Sequence, residues 1–186
     1  MDDVPFPHHR QHPAIERLEG KHVLARRVDA RRDCDDLYEL THGREEEEAV
    51  WHYMTYGPFA SKAEMFDWLS RLAERSDPLF FTIFSKGHQR SVGMYAIMNI
   101  STEHGRAELG NIWYARLAQK TIVNTEATFL FLSYVFDDLR YRRVEWKCDN
   151  RNDASKYAAL RLGFAYEGLS RQHMANMATN IFHRLW

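Results

Sequence analysis

The chain has 186 residues, 45% of them hydrophobic and 13% aromatic, which suits one domain with a full core and excludes a disordered chain. Its formal net charge of −1 gives no electrostatic case for nucleic acid or for a membrane surface. The two cysteines, Cys34 and Cys148, form no C-x-x-C pair, so no disulfide framework or zinc knuckle is implied and a cytoplasmic location is the simplest expectation.

No apolar run reaches the ~18–20 residues of a membrane span, and the first residues lack the apolar stretch of a signal peptide. Residues 1–17 hold three of the five prolines, together with His8, His9 and His12. They are expected to form a loosely ordered arm ahead of a single domain at 18–186. A metal site at the three histidines is the competing reading, but no carboxylate or cysteine is spaced to complete a ligand set.

"HVLARRV" (His22 to Val28) predicts a first strand. Asp29 to Thr41 carries Cys34, Leu37, Tyr38 and Leu40 at helical spacing, with Gly43 as a stop signal. The run Arg44 to Glu48 reads as a solvated helix face, or as a lure for a cationic amine. Trp51, Tyr53, Tyr56 and Phe59 then cluster around a Gly57-Pro58 turn. Such aromatics can line a substrate pocket or plug the edge of a core, so Trp51, Tyr53 and Tyr56 are candidate substrate contacts. Ser61 starts a helix running to about Arg75, with Glu64 completing a capping box.

Leu79 to Ser85 and Ser91 to Ile100 flank "KGHQR" and read as a hairpin. A third strand, Arg106 to Tyr114, makes an antiparallel meander. Strict alternation along it puts Glu108, Gly110, Ile112 and Tyr114 on one face, and Leu109, Asn111 and Trp113 on the other. Val123 to Asp138 is helical and apolar over a wide stripe. "RRVEWKC" (Arg142 to Cys148) is a strand with Val144, Trp146 and Cys148 on one face. Asn152 or Asp153 caps a last helix that Gly163 ends. "FAYEGLSRQHM" and "NIFHRLW" read as a closing hairpin.

Three strings carry a family resemblance: "AQKTIVNTEA" (Ala118 to Ala127), "YRRVEWKCD" (Tyr141 to Asp149), and Asn152 and Ser155 followed by "RLGFAYEG", ending at Gly168. With the element order, they resemble the GNAT (Gcn5-related) N-acetyltransferase superfamily, in its Rim-type branch, from about Leu18 to Arg171. The resemblance implies an α/β (α+β) fold. Its mixed, mostly antiparallel twisted sheet has about seven strands, splays between the fourth and fifth of them, and carries helices on both faces. It also implies direct transfer of acetyl from acetyl-CoA to a primary amine, such as a protein N-terminus, an amino acid or a small amine. A homodimer is compatible with that reading.

A helix N-terminus offers unpaired N–H groups and partial positive charge, which suits a pyrophosphate. The family uses a Q/R-x-x-G-x-G/A motif there. Gln119 matches it, while Ile122 and Asn124 replace the small residues. Gln119, Lys120, Thr121, Ile122, Asn124 and Thr125 are therefore the expected coenzyme A phosphate contacts. The branch commonly lacks these glycines, so binding is expected to be retained. Asn152 and Ser155 match further cofactor positions, Asn152 reading equally as a plain helix cap. The strand end at Ile112, Trp113 and Tyr114 matches the segment whose main chain meets the thioester and stabilises the oxyanion.

Glu108 matches the carboxylate that accepts the amine proton or orients water for it; a simple salt bridge is the alternative. The family's tyrosine acid falls on Ala159 here, which leaves Ser155 or a water for that role. Two rival readings remain: a non-catalytic acyl-CoA-binding module on the same fold, and a partner-binding domain that uses the loop from Trp51 to Phe59.

Overall fold

A computed structural model describes residues 10–174 and 177–183. One sheet of eight strands organises it. In chain order these are β1 (Arg17–Glu19), β2 (Val23–Arg27), β3 (Leu79–Ser85), β4 (Arg90–Ser101), β5 (Arg106–Tyr114), β6 (Arg143–Asp149), β7 (Ala165–Met174) and β8 (Met177–His183). Their order across the sheet is β1-β2-β3-β4-β5-β6-β8-β7. All neighbours are antiparallel except β5 and β6. The short β1 is the strand that the sequence pattern leaves out. The closing hairpin enters with its second strand, β8, against β6.

The helices are α1 (Ala30–Glu39), α2 (Glu45–Glu48), α3 (Lys62–Ala73), α4 (Ile122–Ser133) and α5 (Asp153–Arg161). Their starts follow the side chains. Asp29 accepts the amide of Arg31 at 2.9 Å. Ser61 accepts that of Glu64 at 3.2 Å, while the Glu64 carboxylate reaches back to the amide of Ala60 at 2.9 Å. Each bond satisfies an amide that has no partner inside the helix.

Two apolar layers sandwich the sheet. On one face Cys34 and Leu37 of α1 and Met65, Leu69 and Leu72 of α3 pack on Phe80, Met94, Ala96 and Trp113. On the other, Val123, Ala127 and Phe131 of α4 and Ala159 of α5 pack on Phe81, Tyr95, Ile97, Leu109, Val144 and Trp146. Beyond Ser133 the α4 hydrogen-bonding widens into a π-helical turn, Tyr134–Asp138, so the single helix expected over Val123 to Asp138 changes pitch near its end.

The described part of the expected loose arm, from Arg10 onward, is bonded to the domain. Arg10 Nε donates to Arg140 O at 2.9 Å, the amide of Ala14 donates to the Tyr134 hydroxyl at 3.1 Å, and the Tyr141 hydroxyl donates to Gln11 O at 3.0 Å. His8 and His9 lie outside the described residues, and with them the three-histidine reading.

The alternation expected along β5 breaks after Gly110. From the Ala96–Gly110 pair to the Met94–Trp113 pair, β4 advances two residues and β5 three. The extra residue makes a β-bulge, with Asn111 left-handed at φ 50°. Trp113 consequently falls on the face of Glu108 and Gly110, and Tyr114 on that of Leu109, the reverse of strict alternation. Gly93 permits the close approach: a Cβ there would sit 2.4 Å from Trp113 O.

Candidate active site

β5 and β6 pair only over Arg106–Arg143, Ala107–Val144 and Glu108–Glu145, then diverge. Beyond Glu108 the β6-facing edge of β5 has no ladder partner, and the bulge adds further unpaired main chain at the same place. A cavity of about 140 Å³ occupies the fork. Leu109, Gly110, Asn111 and Ile112 line it from β5, and Trp146 to Asp149 from β6. Asn152 and Ser155 close one end, and Tyr53, Met54 and Thr55 cover another.

At the α5 end, Asn152 Oδ1 accepts the amide of Ser155 at 3.0 Å, so it is a genuine cap that also lines the cavity. Ser155 Oγ accepts Trp146 Nε1–H at 2.9 Å, so its own proton is available to donate, with the Cys148 sulfur in reach. Burial pushes the neighbouring Cys148 thiol up, so this cavity-lining cysteine is held as a thiol, not a nucleophilic thiolate. Ala159 is fully buried in the core, and Tyr157 is 73% exposed.

At the strand pairing, Glu108 is 5% exposed. Its Oε2 accepts Asn99 Nδ2 at 2.8 Å and also the Lys147 ammonium. Oε1 lies beside Gly110, 3.5 Å from where a Cβ on that cavity residue would stand. Lys147 also bonds Glu145 Oε2 at 2.6 Å. Burial pushes the Lys147 pKa down, but Glu108 and Glu145 outweigh it and leave the group above its ordinary value. Asp149, at the far end of β6, is held below the usual carboxylate range by Arg151, at 2.7 Å.

The residues expected to hold phosphate surround the start of α4. Gln119 Nε2 folds back onto Tyr114 O at 2.9 Å. Thr121 caps the helix, accepting the amide of Val123 at 3.2 Å. The left-handed residue of this loop is Lys120, at φ 59°, and Ile122 begins the regular helix with its side chain 51% exposed. The loop thus avoids placing a β-branched residue at positive φ. Asn124 Oδ1 accepts the Thr128 hydroxyl at 3.3 Å, and Thr125 Oγ1 accepts Arg161 Nη1 at 2.7 Å, so both side chains serve inside the helix layer.

The aromatic loop divides. Tyr53 lines the cavity and donates to Arg151 O at 2.9 Å, tying the loop to the start of α5. Trp51, expected to touch substrate, belongs to the core instead: it is 3% exposed, packs at a tilt against Trp113 with ring centroids 4.9 Å apart, and donates to Thr41 O at 3.0 Å. Tyr56 packs on Trp68 at 4.5 Å, and burial raises its phenol pKa. Its hydroxyl and the Trp113 Nε1–H are buried near one another without reaching hydrogen-bond geometry. The side chains of Trp113 and Tyr114 sit in the two opposite cores, so of the Ile112–Tyr114 segment only Ile112 lines the cavity. Sequence reasoning missed Met54, Asn111, Trp146, Lys147 and Asp149 as site residues; period-two alternation along β6 was the available signal for Lys147 and Asp149.

The site is thus a fork between two parallel strands of a mixed sheet, with a helix N-terminus following the bulged strand. The Acetyltransferase (GNAT) domain family matches residues 22–165. The fold is similar to a GCN5-related N-acetyltransferase from Brucella melitensis, with a TM-score of 0.91, 36% identity, and coverage of 95% of this chain and 81% of that one. It is also similar to a GNAT-family acetyltransferase structure from Chromobacterium violaceum, with a TM-score of 0.88, 30% identity, and coverage of 100% and 93%. A third, in fold alone, is the microcin C7 self-immunity acetyltransferase MccE in complex with acetyl-CoA and AMP, with a TM-score of 0.76, 18% identity, and coverage of 90% and 94%. A search of curated proteins returns no match. The chain belongs to the GNAT acetyltransferases. Among the described residues, no helix is long and apolar enough to cross a membrane.

Proposed function

We propose that the chain is an acetyl-CoA-dependent N-acetyltransferase that moves acetyl to a primary amine by direct attack on the thioester. The supporting observation is the fork itself: an unpaired, bulged edge of β5 and the residues Asn152 and Ser155 line one cavity, and Glu108 Oε1 lies beside Gly110, one of its lining residues. Unpaired peptide groups along a strand edge suit an arm that carries amides, as pantetheine does. The cavity, at about 140 Å³, has room for the thioester end of such a ligand, not for the whole of it.

The remainder falls to the start of α4, where Thr121 occupies one helix amide and the preceding loop carries Lys120. Regular dihedrals at Ile122 leave the helix N-terminus intact as an anion site, which favours retained binding despite the missing glycines.

Acetyl-CoA brings the activated acyl group. Glu108 accepts the proton of the incoming amine through Oε1. Main-chain N–H groups at the bulge, around Asn111 and Ile112, stabilise charge developing on the acyl oxygen. Ser155, polarised by the Trp146 N–H, passes its proton to the departing sulfur and takes one back from solvent water. The Rim-type strings favour a protein N-terminus as acceptor, reached beneath the Tyr53–Thr55 cover.

The test combines thermal shift with acetyl-CoA and thiol release across peptides, amino acids and small amines. Stabilisation with turnover, lost in Glu108→Gln, supports the proposal. Stabilisation with no turnover on any amine assigns the fold to acyl-CoA binding alone, a reading that the buried Ala159 favours.

A further inference from the structure

Lys147 lies two residues beyond Glu145, the last β6 residue paired to β5, and so stands on the diverging part of the strand. From there its ammonium reaches back across the fork to Glu108 Oε2 while holding Glu145 Oε2 at 2.6 Å. Glu145, 6% exposed, is anchored on its other oxygen by Arg143 Nε at 2.8 Å, with Arg106 at 3.7 Å. Arg143 in turn grips Glu167 of β7 with both terminal nitrogens, at 2.9 and 2.5 Å. Asn99, left-handed at φ 50° and pinned through its amide to Asp77 Oδ1 at 3.0 Å, completes the set from β4.

Among the described side chains, Asn99 from β4 and Glu145 from β6 bond this pair directly, Arg106 from β5 and Arg143 from β6 hold Glu145, and Glu167 from β7 holds Arg143. The bonds from Asn99 and Lys147 both fall on Oε2, and Oε1 lies beside Gly110, a residue that lines the cavity.

We propose that Lys147 is the positioning residue of this site: it fixes the Glu108 carboxylate, held through one oxygen, at the point where β5 and β6 part. The inference rests on the reading of Glu108 as the proton acceptor. Glu108 and Glu145 share one ammonium. Removing Lys147 takes away the bond that ties Glu108 to β6 and leaves Asn99 to hold the carboxylate. Removing the charge of Glu145 leaves the ammonium bonded to Glu108, so the carboxylate keeps its position.

The experiment measures kcat and the KM of each substrate. Lys147→Met is expected to lower kcat about tenfold with the acetyl-CoA KM unchanged. Lys147→Arg, which keeps a cation in reach, is expected to restore kcat to near the wild-type value. Glu145→Gln, which leaves Lys147 bonded to Glu108, is expected to keep kcat near the wild-type value. A Lys147→Met kcat equal to that of the wild type, or a loss that Lys147→Arg does not restore, overturns the proposal. If Glu108→Gln still abolishes turnover in that case, the proton-acceptor reading stands without Lys147. If Glu108→Gln turns over like the wild type, that reading falls and takes this one with it. If Lys147→Met fails to fold, judged by loss of a cooperative melt, Lys147→Gln is measured in its place, with the same two outcomes.

Discussion

The Trp146 indole nitrogen donates to Ser155 Oγ at 2.9 Å, joining the diverging strand β6 to the first turn of α5 on the wall of the cavity. The bond fixes the serine rotamer and commits its lone pair, so the hydroxyl proton points elsewhere. Ser155→Ala is expected to lower kcat by about a hundredfold while leaving the acetyl-CoA KM within a few fold, as for loss of a general acid. Trp146→Phe keeps the serine but not its orientation, and is expected to cost about tenfold. Steady-state kinetics with both substrates varied separate the two.

The aromatic loop gives a second contrast. Trp51→Ala empties a core site and is expected to cost about 3–5 kcal/mol in urea unfolding. Tyr53→Phe deletes only the bond to Arg151 O, worth about 0.5–1.5 kcal/mol. Its main effect is expected on the acceptor KM, because Tyr53 holds the cover of the cavity.

His42 sets a pH dependence of stability. Its Nε2 accepts the amide of Phe59 at 2.9 Å, so the ring is neutral there, with Nδ1–H directed to Tyr38 O and the Thr41 hydroxyl. Burial lowers its pKa, with the Tyr38 carbonyl and Glu48 opposing. A folded-state pKa below the unfolded value of about 6.5 means the unfolded chain takes up the proton first. This contribution is therefore constant above that pH and is lost as pH falls toward the lower folded-state value. Thermal melts between pH 5 and 8 are expected to show the fall. In His42→Gln, a less stable protein overall, that component of the slope is expected to vanish.

Gly93 lets the β5 bulge close. In Gly93→Ala the new methyl meets Trp113 O, a backbone atom that cannot move aside alone. The expected cost is about 1–3 kcal/mol in urea unfolding, with a loss of kcat larger than that of Tyr53→Phe.

These cases show what was legible in the sequence. The helices and strands carried clean periods, so their order followed from pattern, while the fork between the fourth and fifth predicted strands came from the family resemblance. The bulge did not. Asn111 disturbs no hydrophobic count, yet its left-handed backbone reverses which faces Trp113 and Tyr114 occupy. Nor does composition distinguish Trp51 from Tyr53, since a buried ring and a cavity-lining ring are the same residue types. The phosphate loop was legible in place but not in form: the sequence marked Ile122 as the difficult position, and the chain takes its left-handed turn at Lys120.

The central claim is that the fork transfers acetyl to an amine nitrogen. Mass spectrometry of a peptide panel incubated with the protein and acetyl-CoA tests it most directly. The account predicts acetylated N-terminal product, formed in step with free coenzyme A and absent with Glu108→Gln. Free coenzyme A released without any acetylated amine, at equal rates in the wild type and in Glu108→Gln, would contradict it.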